Sequence, residues 1–155
     1  MALEIERRFL IKNDDWKEFI TKKIVIEQGY LTKNLDDWII RIRFTDKDFK
    51  IALKKHIESF TNFEFEYPIP QKDGEKIMST LSNTIKKERF LLEFEKKSWI
   101  IDCFKGNNFP LEIAEIELST EKEDLSLPSF ISKEITELKH YSNFSLANKP
   151  FSEWK

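Results

Sequence analysis

Apolar and polar residues alternate with period two through much of this chain, a spacing that predicts a protein built mainly of half-buried strands. From Leu3 to Ile11, the residues Leu3, Ile5, Phe9 and Ile11 alternate with Glu4, Glu6 and Arg8, and Arg7 is the only polar residue on the apolar side. The same rhythm marks Val25 to Thr32, Trp38 to Thr45, Phe49 to Lys55, Phe63 to Ile69, Lys87 to Lys97, Trp99 to Lys105 and Ile113 to Ser119. Turn residues fall between them at Thr45-Asp46-Lys47-Asp48, Pro70 and Gly106-Asn107-Asn108, whereas His56 to Asn62 reads as a longer polar connection. Spacings near three and four predict a helix from Asp14 or Asp15 through Trp16, Phe19, Ile20 and Ile24, and a second from Asp73 to Ile85. Two short helices are expected after Pro128, over Ser129 to Leu138 and Tyr141 to Ala147.

With 155 residues, the chain lies below the roughly 250 at which cores usually split. It shows no repeat, low-complexity tract or linker, so one domain over 1–155 is expected. The 14 Phe and 4 Trp supply a packed core despite 35% charged residues. Lys and Arg total 26 against 28 Asp and Glu, so no global basic field favours nucleic acid or an anionic membrane, and any anion site must concentrate charge locally. The stretch from Met1 to Arg8 has no signal-peptide core, and nothing approaches the roughly 20 apolar residues of a membrane span. A cytoplasmic protein without a membrane partner is expected, and the sequence leaves its oligomeric state open. The lone Cys103 excludes an intramolecular disulfide and any multi-cysteine metal site.

Many antiparallel strands with two or three helices fit a sandwich, an open sheet or a closed barrel; eight strands can close around one small ligand. The polar faces are sorted by sign. Glu4 and Glu6, Glu64 and Glu66, and Glu115 and Glu117 are acid pairs, while Arg41 with Arg43 and Lys87 with Arg89 are basic ones; Arg8, Lys54 and Asp102 stand singly. Residues i and i+2 on a strand share a face about 6 to 7 Å apart, so each acid pair repels itself unless a cation or base lies between. These faces are either wet outer surfaces or the lining of a barrel, and patterning alone leaves both open. The chemistry of the second case is specific. Clustered carboxylates hold hard cations such as Mg²⁺ or Mn²⁺, clustered Arg and Lys hold phosphate oxygens, and a metal-bound polyphosphate needs both. No Gly-rich phosphate loop is present, so side chains would have to grip the anion.

Glu4-Ile5-Glu6-Arg7-Arg8 resembles the N-terminal Glu-x-Glu-x-Lys signature of the CYTH superfamily, the triphosphate tunnel metalloenzymes. Arg41-Ile42-Arg43, the Lys54 strand, Phe63-Glu64-Phe65-Glu66-Tyr67, Lys87-Glu88-Arg89, Trp99-Ile100-Ile101-Asp102 and Ala114-Glu115-Ile116-Glu117-Leu118 follow in the family's order. Glu134-Ile135-Thr136 and Tyr141-Ser142-Asn143 with Leu146 resemble the closing segment of its short bacterial members. The resemblance implies an α+β fold, an eight-stranded antiparallel closed β-barrel with helices packed outside and at the C-terminus. It implies binding of a small-molecule triphosphate with Mg²⁺ or Mn²⁺, and hydrolysis, most simply of inorganic tripolyphosphate to pyrophosphate and phosphate. Its alternatives are a class IV-type adenylyl cyclase, a thiamine or nucleoside triphosphatase, and a noncatalytic polyphosphate-binding barrel.

By the same resemblance, Glu4, Glu6, Asp102, Glu115 and Glu117 are the metal ligands, and Arg8, Arg41, Arg43, Lys54, Lys87 and Arg89 contact the triphosphate. Glu64, Glu66 and Glu117 are the catalytic candidates; for Glu64 and Glu66, completing the metal shell, orienting the bases and positioning water all stay open. Arg8 stands where the signature has Lys, which keeps the charge but adds a planar fork. His56 and His140, far apart in sequence, read as surface residues, Cys103 as a packed thiol, and Trp38 as a residue beside the basic strand.

Overall fold

The computed structural model describes residues 2–34, 37–46 and 48–154. Eight strands follow the alternation: β1 (Leu3–Ile11), β2 (Ile20–Tyr30), β3 (Ile39–Thr45), β4 (Asp48–Glu58), β5 (Thr61–Ile69), β6 (Thr84–Phe94), β7 (Lys97–Phe104) and β8 (Glu112–Glu117). They pair antiparallel in the ring order β1-β5-β4-β3-β2-β6-β7-β8, and β8 returns to β1. The result is a closed eight-stranded antiparallel barrel, in which ring closure removes the open sheet edges that would otherwise invite aggregation. A short ninth strand, β9 (Ile131–Glu134), takes the stretch of β1 that β5 leaves free: β5 pairs with Leu3 to Ile5, and β9 with Phe9 and Ile11. Glu95 and Lys96 both have positive φ, as the tight hairpin between β6 and β7 requires.

Alternation gives every strand an inward and an outward set. Outward-facing Phe9, Leu92, Trp99, Ile101, Ala114 and Ile116 form one core with Trp16, Leu118, Phe130 and Ile131. A second core closes one end of the barrel, where Tyr30, Ile85, Phe104 and Ile113 meet Phe144 and Leu146 of the C-terminal helix α2 (Asn143–Asn148). Helix α1 (Gln71–Ser79) lies against β3 and β4, with Gly74 in close contact with Phe49. No described helix is long and apolar enough to cross a membrane.

Four elements differ from the periodicity reading. The first expected helix is only a 3₁₀ turn over Asp15–Phe19, and Ile20 and Ile24 belong to β2, which exchanges backbone hydrogen bonds with β6 from Ile20 onward. The second helix stops at Ser79, where the Thr80 hydroxyl bonds back to the Ile77 carbonyl, and Ile85 is drawn into β6. The polar stretch His56 to Asn62 is not a long connection: β4 runs to Glu58, Ser59 turns with positive φ, and β5 starts at Thr61. The helix expected over Ser129 to Leu138 is replaced by β9, because the free edge of β1 offers backbone partners that helical spacing alone does not reveal. Lys47 of the β3–β4 turn lies outside the described residues.

Candidate active site

The register places all the sorted charges on the inner wall. Glu6 stands opposite Glu117 and Arg8 opposite Glu115; Lys54 stands opposite Glu64, Arg89 opposite Asp102, and Arg43 opposite Gln28. Since cross-strand partners share a face, both members of each pair point the same way. A cavity of about 670 Å³ opens among these residues, lined by Glu6, Arg8, Arg41, Lys54, Tyr30 and Asn62, and by the C-terminal segment from Thr136 to Phe144.

One pole of the lumen is basic. Asp102, 1% exposed, accepts from Lys87 Nζ at 2.7 Å and from Arg89 Nε and Nη2 at 2.8 and 2.9 Å. Burial opposes ionisation of Asp102, but Arg89 and Lys87 overcome it and hold its carboxyl far below the usual range. Burial pulls the Lys87 ammonium down to about 7, with Arg89 and Arg43 adding to the fall and Asp102 resisting it. Arg43 is lowered to about 10, first by burial and then by Arg41 and Arg89. Its Nε donates to Gln28 Oε1 at 2.9 Å, and Gln28 Nε2 donates to the Tyr30 hydroxyl at 2.8 Å. Among the described residues, the buried Nη2 of Arg8 and the buried Nε of Arg41 have no hydrogen-bond acceptor, and Arg8 Nε has only a long ion pair to Glu115 Oε2 at 3.5 Å. Buried cationic donors without acceptors are a costly arrangement that an anion relieves.

The other pole is acidic. Lys54 Nζ meets Glu4 Oε1 at 2.6 Å, and Glu64 shares a hydrogen bond with Glu4. Burial raises the Glu4 carboxyl, but Lys54 outweighs it and brings Glu4 below its ordinary value. Lys54 is driven up in return, as Glu4 and Glu6 exceed the effect of its burial. Glu6 ends the other way: burial, then Glu115 and Glu4, push it up to about 8 against the weaker opposing charges of Lys54 and Arg8. Glu64 rises to about 7 through burial and the charge of Glu4, and Glu117 is raised by burial and Glu4. Burial is the main cause of the shifts at both poles, and like charges add to it, Glu115 and Glu4 on Glu6 and Arg41 and Arg89 on Arg43, so a cation at one pole and an anion at the other would each relieve an unfavourable charge.

A protein with this strand register and sorted lumen has relatives of known activity. An inorganic triphosphatase of Acetivibrio thermocellus is 33% identical over 158 residues, covering 100% of this chain and 99% of that protein. The chain belongs to the CYTH-type triphosphate tunnel family. A solved inorganic triphosphatase superposes with a TM-score of 0.69 at 27% identity, over 93% of this chain and 97% of that one. A putative adenylyl cyclase from Hippeastrum, described as having a dominant triphosphatase activity, shares the fold with a TM-score of 0.59 at 15% identity, over 77% and 80% of the two chains. No family model matches the sequence.

Within this tunnel protein, the sequence-predicted residues do not form one cluster. Glu4, Glu6, Glu64 and Glu117 gather at the acidic pole, Glu115 lies between the poles with Arg8 at 3.5 Å and Arg89 at 3.6 Å, and Asp102 is enclosed by Lys87 and Arg89. Glu66 accepts from Arg41 Nη2 at 2.9 Å and lies 3.9 Å from Lys50, so it orients a base. Among the described residues, no three carboxylate, His or Cys side chains stand close enough together to ligate one ion. The donor set nonetheless suits a hard cation by charge and by ligand type.

Gln28, Tyr30 and Asn62 escaped the sequence reading because it sorted strand faces by charge alone, and Asn143, named there only within the closing motif, was given no role in the site. The spacing of Ile24, Ile26, Gln28 and Tyr30 on one face of β2 was the available signal. Trp38 sits outside the lumen against Phe65, and Lys55 lies over its ring. His56 bonds to Asn62, and His140 packs on Tyr141 and Trp154. The Cys103 thiol lies beside Glu112 and is pushed up to about 12, chiefly by burial.

Proposed function

We propose that this protein is a metal-dependent triphosphatase that hydrolyses inorganic tripolyphosphate to pyrophosphate and phosphate. The observation that carries this reading is the two-pole lumen, in which Arg8 Nη2 and Arg41 Nε lack acceptors while burial, Glu115 and Glu4 hold Glu6 above its ordinary pKa against Lys54 and Arg8. Arg8, Arg41, Arg43, Lys54, Lys87 and Arg89 bind the phosphate oxygens and stabilise the charge that builds on the transferring phosphoryl group. Glu4, Glu6, Glu115 and Glu117 would hold Mg²⁺ or Mn²⁺, which would neutralise phosphate charge and make water easier to ionise.

The chain's own groups account for the remainder. Water attacks the terminal phosphorus, the bond to the bridging oxygen breaks, and pyrophosphate leaves with the bonding electrons. Glu64, with its pKa near neutrality, accepts the proton of the attacking water, and Glu117, on the other side of β1, orients that water. Glu66 and Asp102 position bases, Glu66 through Arg41 and Asp102 through Lys87 and Arg89.

A substrate panel tests the reading. Purified protein with Mg²⁺ or Mn²⁺ should release phosphate and pyrophosphate from tripolyphosphate faster than it turns over ATP or thiamine triphosphate. Cyclic AMP as the main product from ATP would assign the tunnel to a cyclase instead, and binding without turnover of any triphosphate would assign it to a noncatalytic barrel.

A further inference from the structure

Lys87 is the most deeply buried base of the lumen, with a side chain 0% exposed. An ammonium has three N–H donors and no acceptor, so its direction is set by whatever accepts from it. Asp102 takes one donor at 2.7 Å from within the barrel wall. The second goes at 2.9 Å to Oδ1 of Asn143, a residue of the C-terminal segment and not of the barrel. The ring of Phe104, with Lys87 Nζ 5.5 Å from its centroid, backs the ammonium on a further side. With Asp102 alone, the flexible four-carbon stem would leave the ammonium free to pivot about one acceptor. The Asn143 oxygen supplies the second fixed point.

Asn143 is itself held firmly. It opens α2, and the hydroxyl of the preceding Ser142 accepts from Ser145 N at 3.1 Å. Phe144 and Leu146, 8% and 0% exposed, anchor the helix in the apolar plug at the barrel end. Asn108 fastens it from the β7–β8 connection, donating to the Leu146 carbonyl at 3.4 Å and accepting from Phe151 N at 2.8 Å. The same segment also reaches a second tunnel base, since Arg8 Nη1 donates to the Tyr141 carbonyl at 3.0 Å.

We propose that Asn143 is a positioning residue for catalysis: its amide oxygen fixes the direction of the Lys87 ammonium, so that the remaining N–H is presented to the phosphoryl group in the transition state. This inference rests on the triphosphatase reading. It assigns the C-terminal segment a part in the chemistry beyond plugging the barrel, because a group outside the ring sets the geometry of a base inside it.

The test compares Asn143→Ala, Asn143→Asp, Lys87→Met and the Asn143→Ala/Lys87→Met pair with the unaltered chain, measuring kcat and KM for tripolyphosphate with Mg²⁺ and the melting temperature. Asn143→Ala should lower kcat about 10-fold with KM changed less than about 3-fold, as loss of an interaction specific to the transition state requires. Asn143→Asp, which keeps the acceptor oxygen, should retain kcat within about 3-fold. In the Lys87→Met background, Asn143→Ala should cost little further activity, since the two residues act as one unit. The inference is overturned if the losses multiply in the double variant, if Asn143→Asp loses as much as Asn143→Ala, or if kcat falls only where the melting temperature shows the variant unfolded. Failure of the unaltered chain to cleave tripolyphosphate refutes the triphosphatase reading itself, and an active chain indifferent to Asn143→Ala refutes this inference alone.

Discussion

Glu6 and Asp102 are both inward-facing carboxylates on barrel strands, and their surroundings send them in opposite directions. Asp102 has two cations within hydrogen-bond reach, whereas Glu6 faces Glu117 across the β1–β8 pairing and has no ion-pair partner among the described residues. Because Glu6 titrates at about 8 in the folded chain against an ordinary 4.5, the folded state binds the proton more tightly, and its ionisation weakens the fold as pH rises through that interval. Asp102 titrates below this window, so it does not mask the effect. In cation-free buffer, Glu6→Gln should therefore melt with the unaltered protein near pH 5 and several degrees above it near pH 8, where about 1 kcal/mol moves the midpoint by roughly 3 °C in a domain of this size. Thermal melts across that range check the point; an equal difference at both ends would mean that the Glu6 charge is already compensated.

Among the elements, helix and strand spacing competed most closely where apolar residues recur at both periods. Ile20, Ile24 and Ile85 fit helical templates, but strand partners were available to each, and pairing with β6 and β2 won. α1 survived because its packing is tight: a Cβ at Gly74 would overlap the Phe49 ring. Gly74→Ala, which raises helix propensity, should nonetheless destabilise the protein by about 1 to 3 kcal/mol through overpacking. A urea midpoint lower than that of the unaltered protein is the expected result, and a higher one would show that Phe49 can turn aside.

For the whole molecule, closing the ring converts sorted strand faces into a shared field. Acids from β1, β5 and β8 meet at one pole, and bases from β3 and β6 meet at the other. Each pole is unfavourable alone, and a metal-bound polyphosphate would neutralise both. Tripolyphosphate with Mg²⁺ or Mn²⁺ should raise the melting temperature more than either component does, and EDTA should remove both that gain and turnover. Arg41→Ala or Arg43→Ala should weaken the polyanion interaction by about 2 to 5 kcal/mol, while the ligand-free melting temperature stays close to that of the unaltered chain. Unchanged ligand-induced stabilisation in both variants would remove this wall from the site.

Period-two alternation and residue charge are local properties, so the strand rhythm and the sign of each inward face were legible in the amino-acid sequence. The ordered acid and base pairs also sufficed for the family resemblance, Glu4 to Glu117 in one run of motifs. Which carboxylates are held as anions depended on the assembled barrel, since Glu6 and Asp102 are both buried inward carboxylates and only Asp102 has two cations within hydrogen-bond reach. The tertiary structure alone turned Ile131 to Glu134 into a strand by offering the free edge of β1. It alone brought Asn143 to Lys87, 56 positions earlier in the chain, because that contact depends on how α2 seats on the barrel end.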